Sequence, residues 1–261
     1  MNIGFSTGSL AFSDFDAALS FLKGTNANVV ELSALREREL SPLVDALDDL
    51  DLTQFQYVSF HAPSSRRFYS ERELIAELKK VTLRRIPVVL HPDVIEEHEP
   101  WNELGEYLLI ENMDVRKPIG RTASNLLSIF EKLPEAKFCF DLAHVRQVDP
   151  SMIEGLMMLE MFSGKLFQLH LSDVNTHSRH EPLNFEALLA YKKITSLIPE
   201  NIPIVLESPV RPDKIDHEIA TASLIFDDNK FQKILDNLGI RYPGYQVYSN
   251  NVIKMQFKSS R

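Results

Sequence analysis

The sequence predicts an α/β fold, a (β/α)8 TIM barrel, and three observations carry that reading. Eight short apolar runs recur along 261 residues, each followed by an amphipathic segment or a loop long enough to hold a helix. The runs do not alternate polar with apolar, as parallel strands covered on both faces require. The rival, an open doubly wound sheet, lacks its usual marks: no Gly-x-Gly-x-x-Gly follows any run, and there is no lysine-bearing phosphate loop.

In chain order, Ile3-Gly4-Phe5-Ser6 is the first strand, and Ser13-Asp14-Phe15-Asp16 offers an N-cap for a helix over residues 17–22. Val29-Val30-Glu31-Leu32 is the second strand, followed by a charged amphipathic helix over 36–50. Tyr57-Val58-Ser59-Phe60-His61 is the third, and the helix over 70–81 sets Leu74, Leu78 and Val81 on one side. Pro87-Val88-Val89-Leu90-His91 is the fourth, leading into an acidic loop with Trp101. Tyr107-Leu108-Leu109-Ile110-Glu111 is the fifth, followed by a helix over 122–133 with Pro134 beyond its end. The sixth ends at Asp141 and the seventh near His170, with helices over 150–161 and 184–198 after them. Pro203-Ile204-Val205-Leu206-Glu207 is the eighth, and a last helix covers 216–238 with Gly239 as its stop. The expected barrel domain is thus 1–238. Residues 239–261 form an extension, read as a packed arm or tail, and contact between copies in a homo-oligomer is one use for it.

The length suits one large barrel with a substantial core. An apolar content of 44% and a charged content of 25% are ordinary for a soluble protein. A formal net charge of −9 counts against nucleic acid held mainly through its phosphates, because that needs clustered Lys and Arg. The single cysteine, Cys139, allows no intramolecular disulfide and fits a reducing, cytoplasmic setting. No run of 18 apolar residues is present, so no membrane span is expected. Residues 1–6 do not lead from a basic region into a long apolar one, so no signal peptide is expected.

Six strands end in a metal-competent residue: His61, His91, Glu111, Asp141, His170 and Glu207. In a parallel barrel these ends share one rim and their side chains converge. A carboxylate or imidazole just past an apolar run is costly to bury without a partner. Mixed carboxylate and imidazole donors suit Zn²⁺, Mn²⁺, Fe²⁺ or Co²⁺. His144, Asp173 and His180 lie a few residues further on. Plainer roles exist for several of these. Glu111 and Glu207 could favour a following helix N-terminus, and Asp173 could cap a loop or orient an imidazole. For Glu31, near the end of strand two, a salt bridge in the barrel rim weighs as much as a functional role. Cys139 reads as a core residue. Six such endings in one chain favour the metal site.

The motifs Phe60-His61-Ala62-Pro63, Leu90-His91-Pro92, Ile110-Glu111-Asn112, Phe140-Asp141-Leu142-Ala143-His144, His170-Leu171-Ser172-Asp173 and Leu206-Glu207-Ser208-Pro209 come in this order. In this they resemble the xylose isomerase-like TIM barrel superfamily, which holds sugar isomerases and epimerases, inosose dehydratases and the endonuclease IV type of AP endonuclease. The resemblance spans strands one to eight. It implies one divalent metal on Glu111, Asp141, His170 and Glu207, with the two glutamates exchanging protons at the reacting carbon of a ketose. His144 and Arg179, with Asp173 nearby, would then hold substrate. The endonuclease IV type would instead add cations through His61, His91, His144 and His180. Its Asp-x-His pair, however, falls on Ser178-Arg179-His180, and the aspartate is missing. The sequence therefore places a metal-dependent isomerase or epimerase of a small sugar or sugar phosphate first, with one ion. An endonuclease IV-like multi-metal phosphodiesterase comes second, and a barrel that only binds a ligand or partner third.

Overall fold

The computed structural model describes residues 1–12 and 14–240. Eight parallel strands close into a barrel. They are β1 (Ile3–Ser6), β2 (Val29–Ser33), β3 (Tyr57–His61), β4 (Val88–Leu90), β5 (Leu108–Glu111), β6 (Lys137–Asp141), β7 (Leu166–Leu171) and, after a short ribbon of β8 (Asp173–Val174) and β9 (His180–Glu181), β10 (Ile204–Leu206). Neighbours in the ring follow chain order, and β1 closes it by pairing with both β2 and β10. The strands are β-branched or aromatic and buried along nearly their whole length, as a barrel wall packed on both sides demands.

Parallel register decides which strand ends meet. Ser33 stands opposite His61, Glu111 opposite Cys139, and Asp141 opposite His170. Past the last pair of β5 and β6, the Asn112 side chain continues the ladder: its Nδ2 donates to the Asp141 carbonyl at 2.8 Å and its Oδ1 accepts the Asp141 N–H at 2.7 Å.

Several helices start where a side chain satisfies a free N–H group. After α1 (Thr7–Ala11), Asp14 accepts the Ala17 N–H and so opens α2 (Phe15–Leu22). Next come α3 (Glu37–Ala46) and α4 (Glu71–Thr82); Ser70 and Glu73 form a reciprocal box at the start of α4. The segment after β4 is not a plain loop. It contains α5 (His98–Trp101) and a 3-10 turn, and Trp101 is buried with its Nε1 donating to Glu71 Oε1 at 2.6 Å. Thr122 caps α6 (Ala123–Phe130).

Four helical expectations need correction. The helix expected over 36–50 ends at Ala46. A helix not foreseen, α7 (Leu142–Val148), begins at Asp141, whose side chain caps it by accepting the His144 N–H; only then follows α8 (Ile153–Phe162). The helix expected over 184–198 stops as α9 at Phe185–Lys192, and a 3-10 turn takes Thr195–Leu197. The helix expected over 216–238 is broken into α10 (Ile215–Ser223), a 3-10 turn and α11 (Asp228–Asn237). The break has a cause. Lys192 Nζ and Thr195 Oγ1 both donate to the Ile225 carbonyl, which a continuous helix would need for itself. The barrel belongs to a compact unit of residues 1–226. A second unit begins at Asp227, which caps α11, and Gly239 follows that helix with φ +66°, as a stop residue does. Of the extension expected over 239–261, residues 241–261 lie outside the described residues. Among the described residues no helix is long and apolar enough to cross a membrane.

Gly4 has no room for a side chain: a Cβ there would lie 1.6 Å from the Val29 carbonyl oxygen of the neighbouring strand. Gly4→Ala is expected to cost more than the roughly 1–3 kcal/mol of ordinary overpacking, seen as a lowered urea midpoint of the intact chain.

Candidate metal centre

At the C-terminal rim of the barrel Glu111 is ringed by imidazoles. Its Oε2 lies 3.3 Å from His61 Nε2 and 3.2 Å from His91 Nε2; its Oε1 lies 3.1 Å from His170 Nδ1 and 3.4 Å from His144 Nδ1. The His170 Nδ1 is also 3.6 Å from Glu207 Oε2, and His180 Nε2 approaches that same oxygen to 3.5 Å. Two donor groups overlap at Glu111. One is His61, His91 and Glu111; the other is Glu111, Asp141, His170 and Glu207. Within each, the candidate ligand atoms lie within 4.8 Å of one another. A third such group, Glu31, His61 and Glu207, draws on the same side chains.

The hydrogen bonds of the imidazoles fix which nitrogen faces inward. A carbonyl only accepts, so His61 donates through Nδ1 to Ala62 O at 2.7 Å and turns Nε2 toward Glu111, where it carries either a proton or a cation. His144 donates through Nδ1 to Asn112 O at 2.9 Å, leaving Nε2 toward the cavity, 3.9 Å from Asp114 Oδ2. A ring nitrogen facing a carboxylate oxygen needs a positive charge between them, a proton or a metal cation. Asp141 Oδ2 is buried with no hydrogen-bond partner, and so are His91 Nδ1 and Glu31 Oε1. Buried polar atoms without partners are uncommon and costly. A divalent cation in each overlapping donor group would supply that charge and give Asp141 Oδ2 a partner, so the residues present fit such ions.

The same crowding shifts the protonation of these groups. Burial works against a charged His61, but the hydrogen bond to Glu111 and the charges of Glu31 and Glu111 outweigh it and lift its pKa to about 9. Burial prevails at His91 and lowers it, since it shares Glu111 Oε2 with a neighbour that already carries the charge. Burial also opposes the charge of Glu111, yet His170 and the hydrogen bonds from His170, His61 and His91 hold it well below the usual carboxylate range. Asp141 and Glu207 go the other way: burial, reinforced by Glu111, raises both. For Asp114, burial is outweighed by Arg116 and His144, which hold it down at about 2.

The centre opens into a cavity of about 460 Å³. Its inner side carries His61, His91, Glu111, His144, His180 and Glu207, and its outer part Phe12, Leu35 and Pro209 together with Arg116 and Arg179. Arg179 is exposed at the cavity, whereas Arg116 is paired through two nitrogens with Asp114. His180 stands on β9 and is anchored by a hydrogen bond of 2.8 Å between Nδ1 and Ser172 Oγ.

Of the residues expected at the site, the structure brings His61, His91, Glu111, Asp141, His144, His170, His180 and Glu207 together, with Arg179 at the mouth. Asp173 stands apart. It is buried, accepts from Arg146, Asn184 and the Val174 N–H, and does not line the cavity. Those bonds tie the β8–β9 ribbon to α7 and α9, so the expectation that Asp173 holds substrate does not fit its surroundings. Ser178, at the position of the missing aspartate, donates its hydroxyl to Gln147 Oε1 at 2.8 Å. Two residues at the site escape a reading of the sequence. Arg116 and Asp114 follow Glu111 closely, and proximity to a strand end is the one signal they give. Glu31, evenly weighed between two roles on sequence grounds, is fully buried beneath His170.

No family model and no curated protein matches the sequence. Solved structures match by fold. Endonuclease IV from Thermus thermophilus aligns with a TM-score of 0.54 at 18% identity, over 87% of this chain and 99% of that one. A candidate sugar phosphate isomerase/epimerase from Anabaena variabilis aligns with a TM-score of 0.59 at 14% identity, over 89% and 99%. SacUVDE aligns with a TM-score of 0.52 at 15% identity, over 92% and 100%. At such identities the likeness is one of fold alone, a closed eight-stranded α/β barrel.

Two overlapping donor groups make a sharp expectation. The purified chain, metal-stripped and reloaded with Zn²⁺ or Mn²⁺, is expected to hold two ions by elemental analysis. His91→Ala is expected to hold one, and Asp141→Asn one.

Proposed function

We propose that this chain is a metal-dependent hydrolase of phosphate esters that works with two divalent cations. The observation that supports it best is the place of Glu111, whose two oxygens face separate donor groups. A single-ion isomerase has no use for His61 and His91 at 3.3 and 3.2 Å from Glu111 Oε2. Cations held by the His61, His91 and Glu111 group and by the Glu111, Asp141, His170 and Glu207 group would supply Lewis acidity toward a phosphoryl oxygen and would lower the pKa of a bound water. The order of preference thus differs from the one drawn from the sequence, where the convergence of those two histidines on one carboxylate oxygen is not visible.

The chain's own residues divide the remaining work. Arg179, at the cavity mouth, and Arg116 are placed to bind the charged oxygens of a phosphate, since guanidinium groups match that geometry. His180, anchored through Nδ1, offers Nε2 to a substrate oxygen or its proton. His144 does the same from α7. Phe12, Leu35 and Pro209 give the substrate an apolar flank and limit access of bulk water. The bounded cavity and the net charge of −9 favour a small phosphate ester over a long stretch of nucleic acid.

The isomerase or epimerase reading keeps one specific observation: Glu111 and Glu207 both flank His170 Nδ1, a pairing that suits proton exchange on two sides of a substrate carbon. Two assays separate the readings. The metal-loaded chain is expected to hydrolyse bis-p-nitrophenyl phosphate, with Glu111→Gln slower by at least about 10²-fold, the lower end for loss of an essential group. Arg179→Ala is expected to raise KM more than it lowers kcat, because it removes binding common to ground and transition states. Deuterium uptake from solvent into a ketose, with no ester hydrolysis by a chain holding one ion, would overturn the proposal. Abasic-site DNA serves as a second substrate in the same assay.

A further inference from the structure

Below the metal centre the barrel interior holds a buried polar column in place of apolar packing. Tyr57 Oη donates to Gln168 Oε1 at 2.8 Å, and Gln168 Nε2 donates to Glu31 Oε2 at 2.7 Å. Ser59 Oγ donates to the same Glu31 oxygen at 3.1 Å, and His170 Nε2 reaches it at 3.1 Å. Gln168 Nε2 and His170 Nε2 lie side by side, 2.9 Å apart, at that shared acceptor. Glu31, Ser59, Gln168 and His170 are all essentially inaccessible to solvent.

The direction of this column is set from its far end. The phenol of Tyr57 donates to the amide oxygen, which turns the amide nitrogen toward Glu31. Both ring nitrogens of His170 face a carboxylate at 3.1 Å, Nε2 toward Glu31 and Nδ1 toward Glu111, and a carboxylate only accepts; with a cation between Nδ1 and Glu111, the one ring proton belongs on Nε2, pointing at Glu31. That leaves the Nδ1 lone pair facing Glu111 and Glu207. Metal-bound imidazoles are commonly held in this way by a carboxylate on their far nitrogen, which fixes tautomer and ring orientation. We infer that Glu31 is a positioning residue: acting through His170, it selects the tautomer that presents Nδ1 to the cation of the Asp141, His170 and Glu207 group. The inference rests on the two-cation reading and says which of the two sites depends on Glu31.

The test is a Co²⁺ titration of the metal-stripped full chain, followed by its visible absorption. With His91→Ala as the parent, so that the inner site is read alone, adding Glu31→Gln is expected to weaken Co²⁺ binding by about 10–100-fold. In an Asp141→Asn parent, which keeps the His61 and His91 site, the same change is expected to leave affinity unaltered. In a His170→Ala parent, Glu31→Gln is expected to add no further loss. If wild type takes two ions and Glu31→Gln leaves the inner one as tight as before, the inference is overturned and the two-cation reading stands. Equal weakening of both sites overturns it as well. If wild type takes no ion at the inner site, both fail. Should Glu31→Gln not fold, the wild type decides: loaded with ¹¹³Cd, it is expected to show coupling to His170 Nδ1 in ¹⁵N spectra, and coupling to Nε2 would overturn the inference.

Discussion

A carboxylate with four imidazole nitrogens between 3.1 and 3.4 Å of its two oxygens cannot be assembled from any one stretch of chain. Glu111 ends one strand, His61 ends another, His170 lies one residue before the end of a third, His91 follows a fourth, and His144 sits in the first turn of a helix. Only the closing of the ring brings them to one point, and the parallel register then fixes their heights. The centre and the fold therefore stand or fall together. A slip of one residue in any of those strands would turn its ligand into the wrong layer.

Charge buried at such density has to be neutralised locally, because taking an unpaired ion out of water is expensive. The protein distributes this demand in two tiers. At the rim, carboxylates and imidazoles face one another in a geometry suited to cations. Deeper in the barrel, Glu31 is balanced by His170 and His61, which outweigh the effect of burial and keep it ionised. The surrounding wall is apolar, with Val30, Phe60, Val89, Leu109 and Leu169 fully buried, and offers the charges no alternative partners. Removing one member of such a network leaves the others exposed to the full penalty.

Much of this is legible in the sequence, and the reason is physical. Strands buried on both faces must be continuous apolar runs, and a polar residue that closes such a run stands out. His61, His91, Glu111, Asp141, His170 and Glu207 all announce themselves in that way. Glu31 is harder to read because Leu32 and Ser33 continue the strand beyond it, so it looks like an interruption and not an ending. The role of Asp173 depends on Arg146 and Asn184, one on each side of it in the chain, and no local pattern announces that meeting. The helix break at 224–227 likewise comes from a captured carbonyl, that of Ile225, a tertiary event that overrides local helix preference. The count of cations depends on distances across the ring, which spacing along the chain does not encode.

The Asn112 amide imitates a missing rung of the sheet, pairing with the Asp141 backbone on both its donor and acceptor sides. The main chain after Asn112 is thereby released from sheet pairing while Asp141 remains as firmly registered as if the strand went on. The segment carrying Asp114, Arg116 and Lys117 is anchored separately, by Lys117 Nζ donating to Asp93 Oδ2 and the Ser64 carbonyl and by the Met113 N–H donating to the Gly120 carbonyl. In this architecture one primary amide marks the boundary at which the barrel wall stops and the loop that borders the cavity begins.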